Sequence, residues 1–365
     1  FRSVENQIVE ETIPLTVEAL ADWDPTFGET PGEPVFAALH ADLLVAVEAK
    51  THTRLGSRLN YEKPGISSLF RKSGRRVDDM DPSLPYREQF LEIDEDWGDP
   101  EVWETFKLYS PAYTSGYMLN AVDMQKTVDG PELKPDGERI YLRLFVRTLV
   151  LSVVITGLCL LLGYPIAFLL ASLPLRMSNL ILILVLLPFW TSLLVRTASW
   201  KVLLQQQGVI NDVLVWAGLI SDDGRLVMIN NATGTVIAMT HILLPFMILP
   251  LFSVMKTIPP SYVRAAKSLG ATDWTAFWRV YFPQSVPGVG AGSILVFILA
   301  IGYYITPELV GGTSGIFISN RIAYHISTSL NWGLAAALAT MLLLVVLALY
   351  WTYDRIVGID NVKLG

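Results

Sequence analysis

The chain has 365 residues, of which 52% are hydrophobic and 17% are charged, and its formal net charge is −7. This total hides two regions of opposite sign. Residues 1–140 carry 14 Lys or Arg against 27 Asp or Glu, a net charge of −13, whereas residues 141–365 carry 13 against 7, a net charge of +6. The composition therefore indicates a membrane protein with a separate soluble part, and the single cysteine, Cys159, excludes an intrachain disulfide.

Residues 1–140 form the predicted soluble part, which we expect to be mostly helical, with a modest core. A charged, turn-rich stretch, 71–88, has little to bury and separates two segments with helical periodicity. The apolar positions of these two segments are Val35, Leu39, Leu43 and Ala46 in residues 34–49, and Val102, Phe106 and Tyr109 in and directly after residues 100–108.

Five long stretches without Asp, Glu, Lys or Arg follow, and a helix needs roughly 20 apolar residues to cross the hydrocarbon core. The predicted spans are Leu149–Ala171, Leu180–Leu203, Thr235–Met255, Gly288–Thr306 and Trp332–Tyr353. Because helices satisfy their own backbone hydrogen bonds in lipid, these spans predict an all-α, polytopic membrane fold. Four prolines are expected either to kink them or to mark broken, pore-facing turns, and a role in packing alone fits equally well: Pro165, Pro188, Pro245 and Pro250.

Two segments between the spans are not predicted to cross the membrane. Residues 205–225 contain an apolar piece too short to span, which we expect to lie along the surface or dip partway into it. Residues 308–321 are rich in glycine and are predicted to form turns.

The most informative stretch, residues 256–287, is a basic interruption between two hydrophobic runs. A first helix is predicted from Ser261, as N-cap, to Gly270, just past its end, and a second from Thr272, as N-cap, to the prolines at 283 and 287. Tyr262, Ala265, Ala266 and Leu269 give the first helix one apolar face. The pattern alone fits a docking surface and an interfacial loop with aromatics among the headgroups equally well.

The spacing of this stretch resembles the EAA loop of permease subunits in type I ATP-binding-cassette importers. That loop reads Glu-Ala-Ala, three residues, Gly, nine residues, an aliphatic residue, one residue and Leu-Pro. Here Arg264 replaces the Glu and Phe282 the Leu, so a polar contact of that Glu does not transfer. Further stretches between about 140 and 355 resemble the spermidine/putrescine branch of that family: GYPIAFLLAS (163–172), LLPFWTSLLVRTASW (186–200), GVIND (208–212), HILLPFMILPLFSVM (241–255), GYYITPELVGG (302–312) and NWGLAAAL (331–338).

The resemblance implies a MetI-like permease fold in a bacterial inner membrane, with six spans in the full chain and the first preceding Phe1. Residues 1–140 would be periplasmic, residues 141–358 the transmembrane domain with 256–287 as cytoplasmic coupling loop, and 359–365 a cytoplasmic tail. Basic residues agree, since this orientation leaves seven Lys or Arg in cytoplasmic segments and four in short external loops.

The implied partners are a cytoplasmic ATPase dimer that carries ATP and Mg, a second permease subunit, a periplasmic substrate-binding protein, and the lipid bilayer. The second permease subunit is expected to be a homologous chain, with an identical copy as the less favoured alternative. We expect no nucleic-acid partner. The chain has no GxxxxGK[ST] phosphate loop and no metal-ligand spacing, so we predict that it is not an enzyme and has no catalytic residue, cofactor or metal of its own. The predicted coupling residues are Arg264, Ala265, Ala266, Lys267, Gly270 and Pro283.

Six residues are predicted to line the substrate pathway: Trp190, Tyr303, Tyr304, Glu308, Asn331 and Trp332. Glu308, which is expected to close the fourth span beside two tyrosines, suits an organic ammonium group through charge and cation–π contact. A carboxylate that only ends a helix at the outer interface is an equal alternative, and lipid anchoring is the alternative for Trp190. Arg196 is expected to snorkel or to hold a structural pair, and His241 to serve as a polar packing residue or a pore group.

The family branch predicts a polyamine as substrate. Phosphonates, opines, ferric iron and sulfate are alternatives, because similar loops occur in permeases for them. A secondary transporter or channel that works without an ATPase is a rival of another class, as is a receptor whose external domain carries the function. Inverted-repeat symmetry and buried ion-coupling carboxylates would favour a secondary transporter, and the sequence shows neither.

Overall fold

The structure is a computed structural model that describes residues 4–24, 28–111, 113–127 and 130–357. The chain divides into two compact units, Phe1–Arg139 and Ile140–Gly365. The predicted cytoplasmic tail, residues 359–365, lies outside the described residues. Both units are helical apart from one two-stranded hairpin in the first, so the predicted all-α fold class is confirmed.

The first unit consists of eight described helices followed by the hairpin. These elements are α1 (Val4–Thr12), α2 (Pro14–Ala21), α3 (Glu33–Glu48), α4 (His52–Leu59), α5 (Ile66–Ser73), α6 (Tyr86–Ile93), α7 (Pro100–Tyr109), α8 (Gly116–Ala121), β1 (Met124–Thr127) and β2 (Gly130–Leu133). Helices α3 and α7 confirm the two periodic segments, and their predicted apolar positions are buried or half-buried. The antiparallel hairpin was not predicted.

An aromatic cluster fills the core of the first unit. Its fully buried rings are Phe36, Phe70, Phe90, Trp97, Trp103 and Phe106. Trp97 donates its indole N–H to Ser73 Oγ at 2.9 Å, and Trp103 donates to the Trp97 carbonyl at 3.0 Å, so neither buried indole lacks a partner. This core is larger than the modest one expected. The turn-rich stretch contributes to it as well, because Val77 is fully buried.

The second unit begins with the first long hydrophobic helix. Its helices are α9 (Tyr141–Ser172), α10 (Leu175–Leu186), α11 (Leu193–Leu203), α12 (Val209–Trp216), α13 (Ala232–Thr257), α14 (Pro260–Ser268), α15 (Asp273–Ala276), α16 (Phe282–Gly302), α17 (Ile305–Val310), α18 (Gly312–Gly315), α19 (Ile318–Ser327) and α20 (Trp332–Val357). A 3₁₀ turn, Leu187–Trp190, follows α10, and a π-helical turn, Phe277–Tyr281, joins α15 to α16. Helix α13 is the centre of this unit and packs against both α9 and α16.

Four of the described helices are long and apolar enough to cross a membrane: Tyr141–Ser172, Ala232–Thr257, Asp273–Gly302 and Trp332–Tyr353. The second predicted span is not a continuous helix, because Leu175–Trp190 and Leu193–Leu203 meet at an angle of 94°. Pro188 lies in the turn before the break, and Thr191 and Ser192 have extended ψ values of 146° and 141°. The predicted break at Pro188 is therefore confirmed, whereas the other three prolines lie inside continuous helices.

The fourth span also differs from its prediction. It starts at Asp273 rather than Gly288 and ends at Gly302 rather than Thr306, since the chain breaks at Tyr303 and Tyr304. Pro283 and Pro287 were expected to stop the helix, and the helix continues through both. Pro283 lies two residues after the last residue of the π turn, where the α-helical hydrogen-bond ladder is already interrupted, so the missing N–H costs little there.

The glycine-rich stretch 308–321 forms short helices rather than the predicted turns. Its glycines allow close packing, since an added Cβ at Gly311 would lie 2.4 Å from Thr235 Oγ1 and one at Gly315 would lie 2.5 Å from the same atom. The other connecting segment, 205–225, contains the eight-residue helix α12, which is too short to cross the membrane, and a 3₁₀ turn, Asp222–Gly224.

Candidate pathway and coupling surface

Helix α14 is held between two well-defined ends. Pro260 is the first residue of the helix, a position that suits proline because its φ is already helical and its missing N–H would have no partner there. Ser261 therefore lies inside the first turn, and its predicted role as N-cap is wrong. At the other end, Gly270 has a φ of +89° and donates its N–H to the Lys267 carbonyl at 3.0 Å. Ala271 donates to the Ala266 carbonyl at 3.1 Å, which completes a Schellman motif.

A second capped helix begins two residues after this glycine. The side chain of Thr272 accepts a hydrogen bond from the Thr275 N–H at 3.3 Å, which confirms the predicted N-cap. From Asp273 the chain runs through the π turn directly into α16, so it does not form a second short helix. Of the predicted coupling residues, Pro283 lies in the first turn of α16, and the others lie on α14 or at its glycine bend.

The apolar face of α14 points away from the rest of the second unit. Tyr262 is 52% exposed and Leu269 is 89% exposed, and Ala265 between them is exposed as well. The opposite side, with Val263, Arg264 and Lys267, lines a cavity against the ends of the spans. A surface helix normally buries its apolar face, so this reversed arrangement marks an interaction surface.

Two breaks in the helices of the second unit lie close together. The first lies between α10 and α11, and the second between α16 and α17. The hydroxyls of Thr197, in α11, and Thr306, in α17, are buried and lie 3.1 Å apart. In lipid, non-helical backbone is tolerated only where protein or a water-filled cavity satisfies its polar groups.

Side chains satisfy the carbonyls that these breaks free. Arg196 donates from Nη2 to the Thr191 carbonyl at 3.1 Å, and its guanidinium lies 5.9 Å from the Phe189 ring. Ser319 donates to the Tyr303 carbonyl at 2.6 Å, and Asn320 donates to the Tyr304 carbonyl at 2.9 Å. The interpretation of Arg196 as a structural residue is supported, because its side chain hydrogen-bonds a backbone carbonyl at the first break.

Glu308 lies in α17, beyond the second break, and so does not close the fourth span as predicted. Asn320 donates from Nδ2 to Glu308 Oε2 at 2.6 Å, and the same Nδ2 donates to the Tyr304 carbonyl. Asn320 therefore orients the carboxylate near the second break while Glu308 itself stays exposed. Sequence reasoning missed Asn320, since an isolated asparagine in a glycine-rich segment gives no signal.

The remaining predicted pathway residues lie on other elements of the second unit. Trp190 ends the 3₁₀ turn at the first break and is 89% exposed. Asn331 accepts a hydrogen bond from the Leu334 N–H at 3.0 Å, which makes it a helix cap for α20, and the neighbouring Trp332 is exposed. His241 receives the Trp200 indole N–H at 3.0 Å, a contact that favours polar packing. Among the described residues, no group of three or more His, Cys, Asp or Glu could hold a metal ion.

Comparison with known proteins agrees with this architecture. The spermidine/putrescine transport system permease protein PotB of Escherichia coli K12 is 34% identical over 222 residues, which cover 60% of this chain and 80% of that protein. The protein of the same description from Salmonella typhimurium SL1344 is also 34% identical over 222 residues, covering 60% of this chain and 77% of its own. A bacterial ABC transporter involved in the import of the acidic polysaccharide alginate shares the fold, with a TM-score of 0.53 at 19% identity over 81% of this chain and 99% of that chain.

The family described as binding-protein-dependent transport system inner membrane component matches residues 146–357. This range contains the candidate spans from α13 onward, almost all of α9, both breaks and helix α14. Because the match covers more than half of the chain, this chain belongs to that family and is a multi-pass inner-membrane permease of an ATP-binding-cassette importer.

Proposed function

We propose that this chain forms part of the pore of an ATP-driven importer for polyamines and that α14 docks on a cytoplasmic ATPase. The proposal that α14 docks on an ATPase rests on the exposed apolar face of this helix, with Leu269 at its C-terminal end. Apolar side chains that are exposed to water raise the free energy of the free protein. Burial of this face in a complementary groove of the ATPase would remove that unfavourable contribution.

The connections of α14 suit the transmission of movement. Only Ile258 and Pro259 separate it from α13, and the Gly270 bend leads at once into the helix that becomes the fourth span. A push on α14 therefore reaches two membrane helices through short, hydrogen-bonded connections. This geometry supports a mechanism in which closure of the ATPase dimer around ATP and Mg shifts the pore between inward-open and outward-open states.

Support for a polyamine comes from the relatives and from the second break. The two PotB relatives are spermidine/putrescine permeases by description. In this chain Glu308 follows Tyr303 and Tyr304 at the second break, and its carboxylate accepts a hydrogen bond from Asn320, which also donates to the Tyr304 carbonyl. Carboxylates and aromatic rings are both groups that suit an alkylammonium ligand.

The proposed assembly contains a second permease subunit, the ATPase dimer and a periplasmic substrate-binding protein. The C-terminal end and α14 face the cytoplasm, and residues 1–140 face the periplasm. The basic residues support this orientation, because more of them lie in the segments assigned to the cytoplasm. The net charge of −13 on residues 1–140 would also raise the local concentration of a polycation.

Uptake of labelled spermidine or putrescine by the reconstituted importer tests the function directly. We expect uptake that requires the binding protein and ATP inside the vesicle, and that unlabelled polyamine suppresses while phosphonate, sulfate and ferric iron do not. Uptake without ATP would contradict the ATPase coupling and favour a secondary transporter. ATP-dependent uptake of another solute with no polyamine competition would contradict the substrate alone.

A further inference from the structure

A cavity of about 680 Å³ lies behind α14, on the side opposite its exposed apolar face. One wall consists of apolar side chains from the ends of the spans, among them Phe168 of α9 and Met255 of α13. Phe277 and Tyr281, from the π turn, complete that wall and pack edge-on against the Phe168 ring, with centroids 5.9 Å and 5.1 Å away. The cavity therefore opens at the level where three membrane helices end or begin.

The other wall of the cavity carries a net positive charge, because its charged lining residues are two cations and one carboxylate, Asp273. Arg264 and Lys267, one turn apart on α14, both line it. Lys267 forms an ion pair with Asp273, whose carboxylate is largely exposed. The Arg264 guanidinium has no hydrogen bond or ion pair with any other residue in the described part of the chain. Lys256 extends its ammonium group to the carbonyl of Ala171, a residue that lines the cavity, at 3.5 Å, so a third cation lies nearby.

We propose that this cavity binds the phosphate-bearing headgroup of an anionic phospholipid. An arginine fork with free N–H groups matches phosphate oxygens bidentately, and the neighbouring lysine adds a second positive charge. The aromatic and aliphatic wall contacts the first part of the acyl chains. A free anion would leave this apolar wall uncovered. Basic pockets at the ends of membrane helices suit anionic headgroups for these reasons.

The occupied cavity would support α14 from behind while its apolar face contacts a partner. A bound headgroup would neutralise the charge of Arg264 and fill the space between α14 and the spans. The helix would then move less relative to the spans when a partner pushes on it. The lipid site does not depend on the substrate or on the ATPase, because its residues and its position at the span ends are given by this chain alone.

Lipid retention by the full chain tests the proposal. The purified protein is incubated in non-ionic detergent with phosphatidylglycerol or phosphatidylcholine, and native mass spectrometry counts the bound lipids. We expect Arg264→Gln and Lys267→Gln each to reduce bound phosphatidylglycerol about fivefold, with phosphatidylcholine unchanged. Asp273→Asn should increase binding, since it removes the carboxylate that competes for Lys267. Arg279→Gln is the matched control, because Arg279 is exposed on the π turn next to the cavity without lining it.

Two further outcomes distinguish a bound phospholipid from a small anion or from no bound ligand. Inorganic phosphate at millimolar concentration should not displace the bound phosphatidylglycerol, and displacement would overturn the lipid assignment in favour of a simple anion site. Equal retention by the wild type and by the Arg264→Gln and Lys267→Gln variants would overturn the proposal. An unchanged elution volume and unfolding temperature show that these variants are folded, as expected for exposed side chains.

Discussion

At the scale of single residues, the second unit uses polar side chains to hold irregular backbone inside a hydrophobic bundle. Arg196 and Asn320 each satisfy a carbonyl at a break, and Thr197 links the two broken segments. Such groups are costly in lipid unless they are paired, so each has a defined task. Gly270 has another kind of task, since its φ of +89° is a conformation that other residues adopt only with strain.

Gly270→Val tests the link between this conformation and transport. The β-branched side chain disfavours the left-handed region by roughly 1–2 kcal/mol, which should loosen the end of α14 and its connection to the fourth span. We expect normal membrane insertion and a clear loss of substrate transported per ATP hydrolysed in reconstituted vesicles. Gly157→Val is the control, because Gly157 lies in α9 without a positive φ and a Cβ there meets only open space. Full coupling in Gly270→Val would contradict the assignment of α14.

Glu308→Gln tests the pathway assignment. Glutamine keeps an acceptor for Asn320 and removes the negative charge, so the local structure should persist. Loss of a charge-assisted contact with an ammonium group costs about 1.5–3 kcal/mol, and we expect the KM for polyamine uptake to rise roughly tenfold or more. Asn320→Ala, which keeps the charge and releases its orientation, should have a smaller effect in the same direction. An unchanged KM in Glu308→Gln would place the substrate elsewhere.

At the scale of elements, the patterns that a sequence predicts well are those that depend on local chemistry. The Schellman end of α14, the Thr272 cap and the Pro188 break follow from a few neighbouring residues. The breaks at Tyr303 and Tyr304 and the passage of the helix through Pro283 depend on distant partners such as Ser319, or on a π turn. These tertiary contacts override local propensity, which is why the fourth span and the surroundings of Glu308 were predicted wrongly.

Leu269→Asp tests α14 as a docking element. The side chain is 89% exposed, so the change should leave the stability of the free chain unaltered. Burial of a leucine in a partner groove contributes about 1.5–3 kcal/mol, so we expect ATPase capture in a pull-down to weaken by roughly ten- to a hundredfold. Leu219→Asp is the matched control, since Leu219 is also highly exposed but follows α12. Equal weakening by both changes would show a general effect on the protein rather than a docking contact.

At the scale of the whole molecule, two compact units of opposite charge share one chain. The first is held by a buried aromatic cluster and the second by the packing of α9 and α16 on α13. The two cores are surrounded by different solvents. The first unit is surrounded by water, and the second by both lipid and water. The uneven distribution of charge in the sequence follows from this division, because charged side chains are expensive in the hydrocarbon core.

The proposed orientation of this molecule predicts which segments reach each side of the membrane. The only native cysteine, Cys159, is fully buried in α9, so it should not react with a membrane-impermeant maleimide and single cysteines can be added without removing it. In intact spheroplasts we expect labelling of Thr30→Cys, in the first unit, and of Asp223→Cys, in the turn after α12. Ser268→Cys, at the end of α14, should react only after the membrane is opened, because the segment with the higher density of basic residues stays in the cytoplasm. Labelling of Ser268→Cys in sealed spheroplasts with protection of Asp223→Cys would reverse the orientation and remove α14 from the reach of a cytoplasmic ATPase.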